Sequence, residues 1–347
     1  VRVWKPGRTG NSRGVLPCRA ASRYRDDCLW KQRMKDCRQF CLIQNEKNIK
    51  NRKRKRLPET VMKLSEIHKK KKNVLSFEIF PPKKDEELKN IDKTLEILCE
   101  LNPDFISVTF GAGGSTNNNK TIAIAKKIKE TYHVEPVVHL TCLSYDRAEI
   151  DRFSKELAFE GICNVLALRG DRNPNVPEKS DFAHASDLIS YLKQTSDFCV
   201  AGACYPECHP ESAGRVEEMR HLKTKTDAGA EVLLSQLFFD NNYFYRFVED
   251  CRIAGIDVPV TPGIMPVINA SQIKRMVTLC GASLPQRFEK IIHKYENSRE
   301  ALFDAGMSYA LSQIIDLLAN DVDGIHLYTM NNPAVARKIC EGIKHIV

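Results

Sequence analysis

The chain contains no apolar run approaching the roughly 18–20 residues that a bilayer-spanning helix requires, so it is read as soluble. No secretory signal is expected from its sequence. No G-x-G-x-x-G follows the first strand-like segment, which removes the fingerprint of the usual dinucleotide-binding open sheet. The Gly111-Ala112-Gly113-Gly114 run follows the second strand-like segment instead. It suits a tight turn, with Ser115 or Thr116 capping the next helix. Cys204-x3-Cys208-His209 has no second Cys/His pair of matching spacing and is interrupted by Pro206, so no metal site is expected. The thirteen cysteines are odd in number and scattered. In a large domain without a signal this argues for reduced thiols and a cytoplasmic setting.

What is present is an ordinary globular balance of 42% hydrophobic and 28% charged residues over 347 positions, enough for one large domain or two. The net charge of +9 is unevenly placed. Residues 1–61 hold 18 Lys/Arg against 5 Asp/Glu, which leaves 35 of the 53 basic and 39 of the 44 acidic residues for the remainder. The globular part is therefore mildly acidic, and the overall charge gives no reason to expect a nucleic-acid partner. The head lacks any helical or strand period, carries Cys18, Cys28, Cys37 and Cys41, and runs through five basic residues from Arg52 to Arg56. Met62 then opens a segment that reads as a normal start. The head is expected to be an upstream extension or a disordered basic tail. A transit peptide fits its arginines but not Asp26, Asp27 and Asp36. The domain boundaries follow as 1–61 for this extension and 62–347 for the folded domain.

From residue 74 short β-branched and aromatic runs alternate with longer amphipathic stretches. Strands are expected at Val74–Phe80, Asp104–Phe110, Pro136–Thr141, Cys163–Leu168, Cys199–Tyr205, Val232–Phe238, Val258–Gly263 and Gly324–Tyr328. Helices are expected at Asp85–Leu101, Thr116–Thr131, Arg147–Glu160 and Ala213–Ala228, the last with Val216, Met219, Leu222 and Thr226 as its spaced face. Leu284–Asn320 has room for two or three more. Near-continuous apolar strands imply a parallel sheet covered by helices. Eight such repeats fit a single-domain (β/α)8 TIM barrel of the α/β class.

In such a barrel functional groups gather at the C-terminal ends of the strands, and those ends are polar here. Glu78 lies between Phe77 and Ile79-Phe80, a setting expected to desolvate it and suit it to general-acid work; alone, it could equally be a structural ion-pair partner. His139, Asp171 and Gln236 each have a bland reading too, as a core histidine, a loop turn and a group satisfying buried backbone. Their convergence on one rim is what core packing does not require. Lys223 and Lys225 close a helix, where cations are favoured, or one of them reaches a cofactor phosphate. Asp240-Asn241-Asn242 reads as a helix N-terminus.

Seven segments, in order, resemble the methylenetetrahydrofolate reductase signature: Ser76-Phe77-Glu78-Ile79-Phe80-Pro81-Pro82, Leu168-Arg169-Gly170-Asp171, Tyr205 to Pro210, Leu222 to Ala230, Gln236 to Asp240, Pro262 to Pro266 and Tyr328-Thr329-Met330-Asn331. The resemblance covers about 62–347 and is to the short bacterial form, since the chain ends just after the barrel. It implies a barrel holding FAD, with NADH or NADPH as reductant and 5,10-methylenetetrahydrofolate as acceptor in ping-pong turnover. It implies that Glu78 is the general acid and that Asp171 sits near flavin and pterin. Thr109, His139, Leu168, Arg169, Gly170, Asp171, Ala203, Tyr205, His209 and Lys225 would hold the cofactor. Gln236 would meet folate and nicotinamide in turn, with Tyr328 also binding substrate. The partners implied are small molecules, and the resemblance leaves room for a homo-oligomer and an iron–sulfur partner subunit. Two positions depart from the family: Asn332 stands where an Arg often helps to bind folate, and His221 where an Asn lies near FAD. A proline dehydrogenase-like FAD barrel would need an arginine pair in the last helix, where only Arg337 is found. A non-catalytic folate- or flavin-binding barrel would have no use for Glu78, Asp171 and Gln236 together.

Overall fold

The computed structural model describes residues 62–82, 88–110, 117–172 and 175–347. The basic head, the Gly111–Gly114 turn with its Ser115 or Thr116 cap, and the first residues of the 85–101 helix lie outside the described residues. Eight parallel strands close into one barrel in sequence order: β1 Val74–Ile79, β2 Phe105–Val108, β3 Glu135–Thr141, β4 Asn164–Leu168, β5 Cys199–Cys204, β6 Val232–Leu237, β7 Val260–Ile264 and β8 Gly324–Tyr328. Closure is by β1 on β8, with Ser76 level with His326 and Glu78 level with Tyr328.

The helices are α1 Leu64–Lys70, α2 Leu88–Glu100, α3 Asn117–Tyr132, α4 Arg147–Phe159, α5 Ala185–Thr195, α6 Arg215–Asp227, α7 Asn241–Ile253, α8 Ala270–Cys280, α9 Gln286–Tyr295, α10 Arg299–Ala319 and α11 Pro333–Ile343. Helical spacing explains their seating. In α2, Ile91, Leu95 and Leu98 recur every three or four residues and are all buried. Asp146 caps α4 by accepting from the Glu149 N–H at 2.9 Å, and Asp240 caps α7 by accepting from the Asn242 N–H at 2.9 Å. The stretch 284–320 forms two helices, α9 and α10. The spaced face expected on α6 is corrected: Val216 is 69% exposed, whereas Glu218 and Leu222 are the buried residues. Glu218 and Leu222, one turn apart, share a face that Val216 does not.

Side chains alternate along each strand between the helix layer and the barrel interior. Phe77, Ile79, Ile106, Val108, Val138 and Leu140 pack outward among the helices in the main core. Val74, Phe105, Val137, Leu166, Cys199, Val232 and Leu234 form the inner cluster. Leu64 and Ile67 of α1 join that inner cluster and plug one end of the barrel. Asn164 holds the plug twice: its Oδ1 accepts from Leu64 N at 2.8 Å and its Nδ2 donates to Met62 O at 3.1 Å. Helix α1 falls outside the strand–helix repeat read from the sequence, because seven residues with two buried apolar positions make too little periodicity to see. No helix among the described residues is long and apolar enough to cross a membrane.

Candidate active site

The alternation decides what surrounds Glu78. Phe77 and Ile79, expected from the sequence to desolvate it, face the helices instead. Glu78 shares its parity with Val74 and Ser76 and points into the barrel, where it is 8% exposed. Its neighbours there are imidazoles: His139 Nε2 lies 3.5 Å and His326 Nε2 3.7 Å from Glu78 Oε2. His326 is anchored from behind, with Nδ1 2.8 Å and Nε2 3.4 Å from the Ser76 and Ser107 hydroxyls, and its ring stacks on Phe105. His139 Nε2 is buried without a hydrogen-bond partner. Burial pushes the His139 pKa below the ordinary value; the Glu78 charge opposes that shift and His326 adds to it. The Glu78 backbone is held as well, its carbonyl accepting from the Thr329 hydroxyl at 2.9 Å. Asn331 then pairs with Phe80 through both backbone groups, at 2.9 Å each. The polar tail of β8 thus locks the end of β1.

Above Glu78 opens a cavity of about 480 Å³. Its wall brings together Glu78, Thr109, His139, Leu168, Arg169, Gly170, Asp171, Ala203, Tyr205, His209, Gln236 and Tyr328, every site residue expected from the sequence except Lys225. Lys225 lines a second cavity of about 300 Å³, which shares Leu168, Arg169, Ala203, Tyr205 and His209 with the first. The two are chambers of one cleft. Lys223, the other candidate cation, is engaged in an ion pair with Asp227 one turn away.

Each side chain has a visible constraint. Gln236 Oε1 accepts from Leu237 N at 2.8 Å, which orients its carboxamide. The Tyr328 hydroxyl donates to Ser235 O at 2.7 Å, which fixes the residue where it lines the cavity. That packing demands Gly263, where a Cβ would sit 2.3 Å from Ser235 O and 2.6 Å from the Tyr328 ring. Gly170 turns the chain after β4 with φ 90°, a conformation that favours glycine. Asp171 stands exposed at the rim. Arg169 makes a bidentate pair with Glu211, at 2.6 and 2.9 Å, which holds the Glu211 carboxyl down at about 2. Lys225 Nζ donates to Ala203 O at 2.9 Å and lies 5.7 Å from the centre of the Tyr205 ring. Burial lowers the Lys225 pKa, and the neighbouring Glu218 carboxylate opposes that shift.

The sequence reading missed four features. His326 is two residues before Tyr328, so strand parity alone puts it inside the barrel. Glu218 is 2% exposed and accepts from His209 N at 3.1 Å; only the burial of a charged stripe on α6 reveals it. Met265, Met276 and Met330 make one wall of the first chamber soft and apolar. His184, before α5, lines the second chamber. The Cys204/Cys208/His209 cluster does not converge: Cys204 faces the helix layer, whereas His209 faces the cleft. Among the described residues no three His, Cys, Asp or Glu side chains are placed to hold a metal.

Comparison with known proteins places this geometry. A sequence profile described as methylenetetrahydrofolate reductase matches residues 63–344. The 5,10-methylenetetrahydrofolate reductase of Pectobacterium carotovorum is 35% identical over 266 residues, which is 77% of this chain and 88% of that protein. Methylenetetrahydrofolate reductase (NADH) 1 of Arabidopsis thaliana is 34% identical over 288 residues, 79% of this chain and 48% of that protein. The chain therefore spans about half the length of the plant relative. Among solved structures, an uncharacterized protein from Clostridium thermocellum that binds two copies of 5-methyl-5,6,7,8-tetrahydrofolic acid superimposes with a TM-score of 0.60 at 16% identity. It covers 82% of this chain and all of that one, and shows likeness of fold.

Proposed function

The chain belongs to the methylenetetrahydrofolate reductase family, and from that premise we propose that it reduces 5,10-methylenetetrahydrofolate to 5-methyltetrahydrofolate with NADH or NADPH, through FAD. The observation that carries the reading is the buried carboxylate of Glu78 beside His139 and His326, at the bottom of a cleft whose walls hold Asp171 and Gln236.

The residues fit an elongated flavin dinucleotide. The cleft has two chambers, its junction carries Arg169, and Lys225 lines the second with a hydrogen bond that uses one of its three donors. Thr109, His139, Leu168, Arg169, Gly170, Asp171, Ala203, Tyr205, His209 and Lys225 would hold the cofactor. When bound, it supplies hydride transfer, taking a hydride from the nicotinamide and giving one to the folate.

The chain's own residues supply the rest. Opening the methylene bridge of the folate requires a proton at N10, and Glu78 is the group in the cavity that can give it. The departure of N10 leaves an iminium between the methylene carbon and N5, and hydride addition to that carbon gives the methyl group. Glu78 is then reprotonated, so each turnover consumes one NAD(P)H and one proton. His139 and His326 are positioning groups that hold the carboxyl in the cavity. Gln236, with its carboxamide oriented by its own neighbour, offers its NH₂ to either substrate. Asp171 at the rim places a negative charge beside the flavin and the pterin. Tyr328, fixed through its hydroxyl, contributes to the wall that meets the substrate. Small molecules are the only partners this chemistry needs, and the nine cysteines among the described residues, all unpaired, support a reducing cytoplasmic setting.

The direct test is the visible spectrum of the purified, anaerobic protein. Oxidised flavin absorbance should be present, should bleach with NAD(P)H, and should return on addition of 5,10-methylenetetrahydrofolate, with 5-methyltetrahydrofolate as product. Flavin that stays reduced in the presence of the folate would remove the substrate assignment.

A further inference from the structure

Resting on the function proposed above, we propose that Glu207 is a positioning residue for the folate: it clasps the C-terminal end of α8 to the loop after β5 and so fixes the wall of the first chamber that Met276 forms. Three helices, α8, α9 and α10, fill the connection from β7 to β8. Met307, Ile314 and Leu317 of α10 pack in the main core. Ile273 of α8 and Phe288 and Ile292 of α9 pack instead with Leu237, Phe239 and Met265, in a cluster of their own. Of the eleven residues of α8, Ile273 alone is buried, so apolar burial holds this helix weakly. Yet α8 carries Met276 in the cavity wall. Its last residue also lies near the reacting groups: burial pushes the Cys280 thiol up to about 11, and the charges of Asp171 and Glu78 add to that rise.

The end of α8 is held by other means. Gly281 closes the helix in the left-handed region, at φ 67°, with its N–H donating to Val277 O at 3.0 Å. It rests on the β5 loop, where a Cβ on Gly281 would come within 3.1 Å of Pro210 Cγ. Two residues on, Ser283 donates to Glu207 Oε2 twice, from its N–H at 3.0 Å and from its hydroxyl. Glu207 is in the wall of neither chamber, but Tyr205 and His209, two residues to either side, line both. It therefore ties the loop on the cofactor side to the helix on the substrate side. Burial pushes the Glu207 carboxyl up, and the two Ser283 donors oppose that shift. Its Oε1 is buried without a partner. The whole clasp passes through one oxygen, so an amide oxygen can replace it. Glu78 and Gln236 stand on β1 and β6 and are not held by α8, so a loosened wall weakens binding and leaves the chemical step intact.

The test follows steady-state turnover and amide hydrogen exchange on the full-chain holoprotein. Glu207→Ala should raise the KM for 5,10-methylenetetrahydrofolate about tenfold, the scale of a lost hydrogen bond to a charged group. Its kcat should stay within about twofold, the pattern of lost binding without lost chemistry, and its flavin content should not change. Ser283→Ala keeps the backbone donor and should raise KM about threefold. Glu207→Gln should hold KM within about twofold of the unaltered chain, because its amide oxygen accepts the same two bonds. Exchange of the α8 amides should quicken in Glu207→Ala and not in Glu207→Gln. An unchanged KM in Glu207→Ala would overturn the proposal. So would an equal loss in Glu207→Gln, or a parallel loss of flavin, which would place the effect on the β5 loop alone. An unaltered chain that does not turn over the folate would overturn the function proposed above; the clasp is then judged by exchange, and unchanged α8 exchange in Glu207→Ala would overturn it as well.

Discussion

At the scale of single residues, Glu78 shows what strand chemistry reveals and what it hides. Its place at the polar end of a strand was legible, because apolar runs that end in a charge are rare and barrel function gathers there. Its surroundings were not. The residues adjacent in sequence face away, and the two imidazoles that matter come from β3 and β8, far off along the chain. Buried histidines also set a pH dependence. Burial lowers the pKa of His68 and of His139 in the folded protein. An unfolded histidine takes up its proton near pH 6.5, so the unfolded state binds protons first on acidification. Stability from these groups is complete above about pH 6.5 and is lost as pH falls below it towards their folded values. The slope is up to about 1.4 kcal/mol per pH unit for each histidine. Urea melts at pH 7.5 and 5.5 should show this loss, and His68→Gln or His139→Gln should flatten it; an unchanged acid slope in both would contradict the assignment. Gly263→Ala should cost about 1–3 kcal/mol by forcing Tyr328 off Ser235, read in the same melts.

At the scale of elements, the eight strands were readable because each is a short run rich in apolar residues between longer amphipathic stretches, and their bounds moved by no more than two residues at either end. The short plug α1 was not, since its stability comes from docking on the barrel end and not from its own sequence. Leu64→Ala should therefore cost about 2–4 kcal/mol, as a buried truncation does. Asn164→Ala should cost about 1–3 kcal/mol, because Met62 O and Leu64 N both lose their partner. Chemical melts of both variants check this, and a loss below about 0.5 kcal/mol in each would mean that the plug is not part of the cooperative fold. Helix α11 explains one departure from the family. Asn332 Oδ1 accepts from Ala334 N at 3.1 Å, with Pro333 opening the helix. It is an N-cap here, and Asn332→Ala should cost about 1 kcal/mol of stability while leaving the KM for folate unchanged.

At the scale of the whole molecule, a closed barrel carries a two-chambered cleft with the buried Glu78 in its first chamber. The barrel was legible in the count and spacing of its strands, and the first chamber in their polar ends. The second chamber was largely invisible, because it forms between the ends of β4 and β5 and the helices α5 and α6, and such a space exists only once those elements are packed. The measurement that reaches the centre of the account is anaerobic stopped-flow spectroscopy of Glu78→Gln, with the two half-reactions followed separately. The variant should keep its flavin and be reduced by NAD(P)H at close to the unaltered rate. Its reoxidation by 5,10-methylenetetrahydrofolate should fall by about 10²-fold or more, the scale of a lost general acid. Reoxidation at the unaltered rate would contradict the role assigned to Glu78.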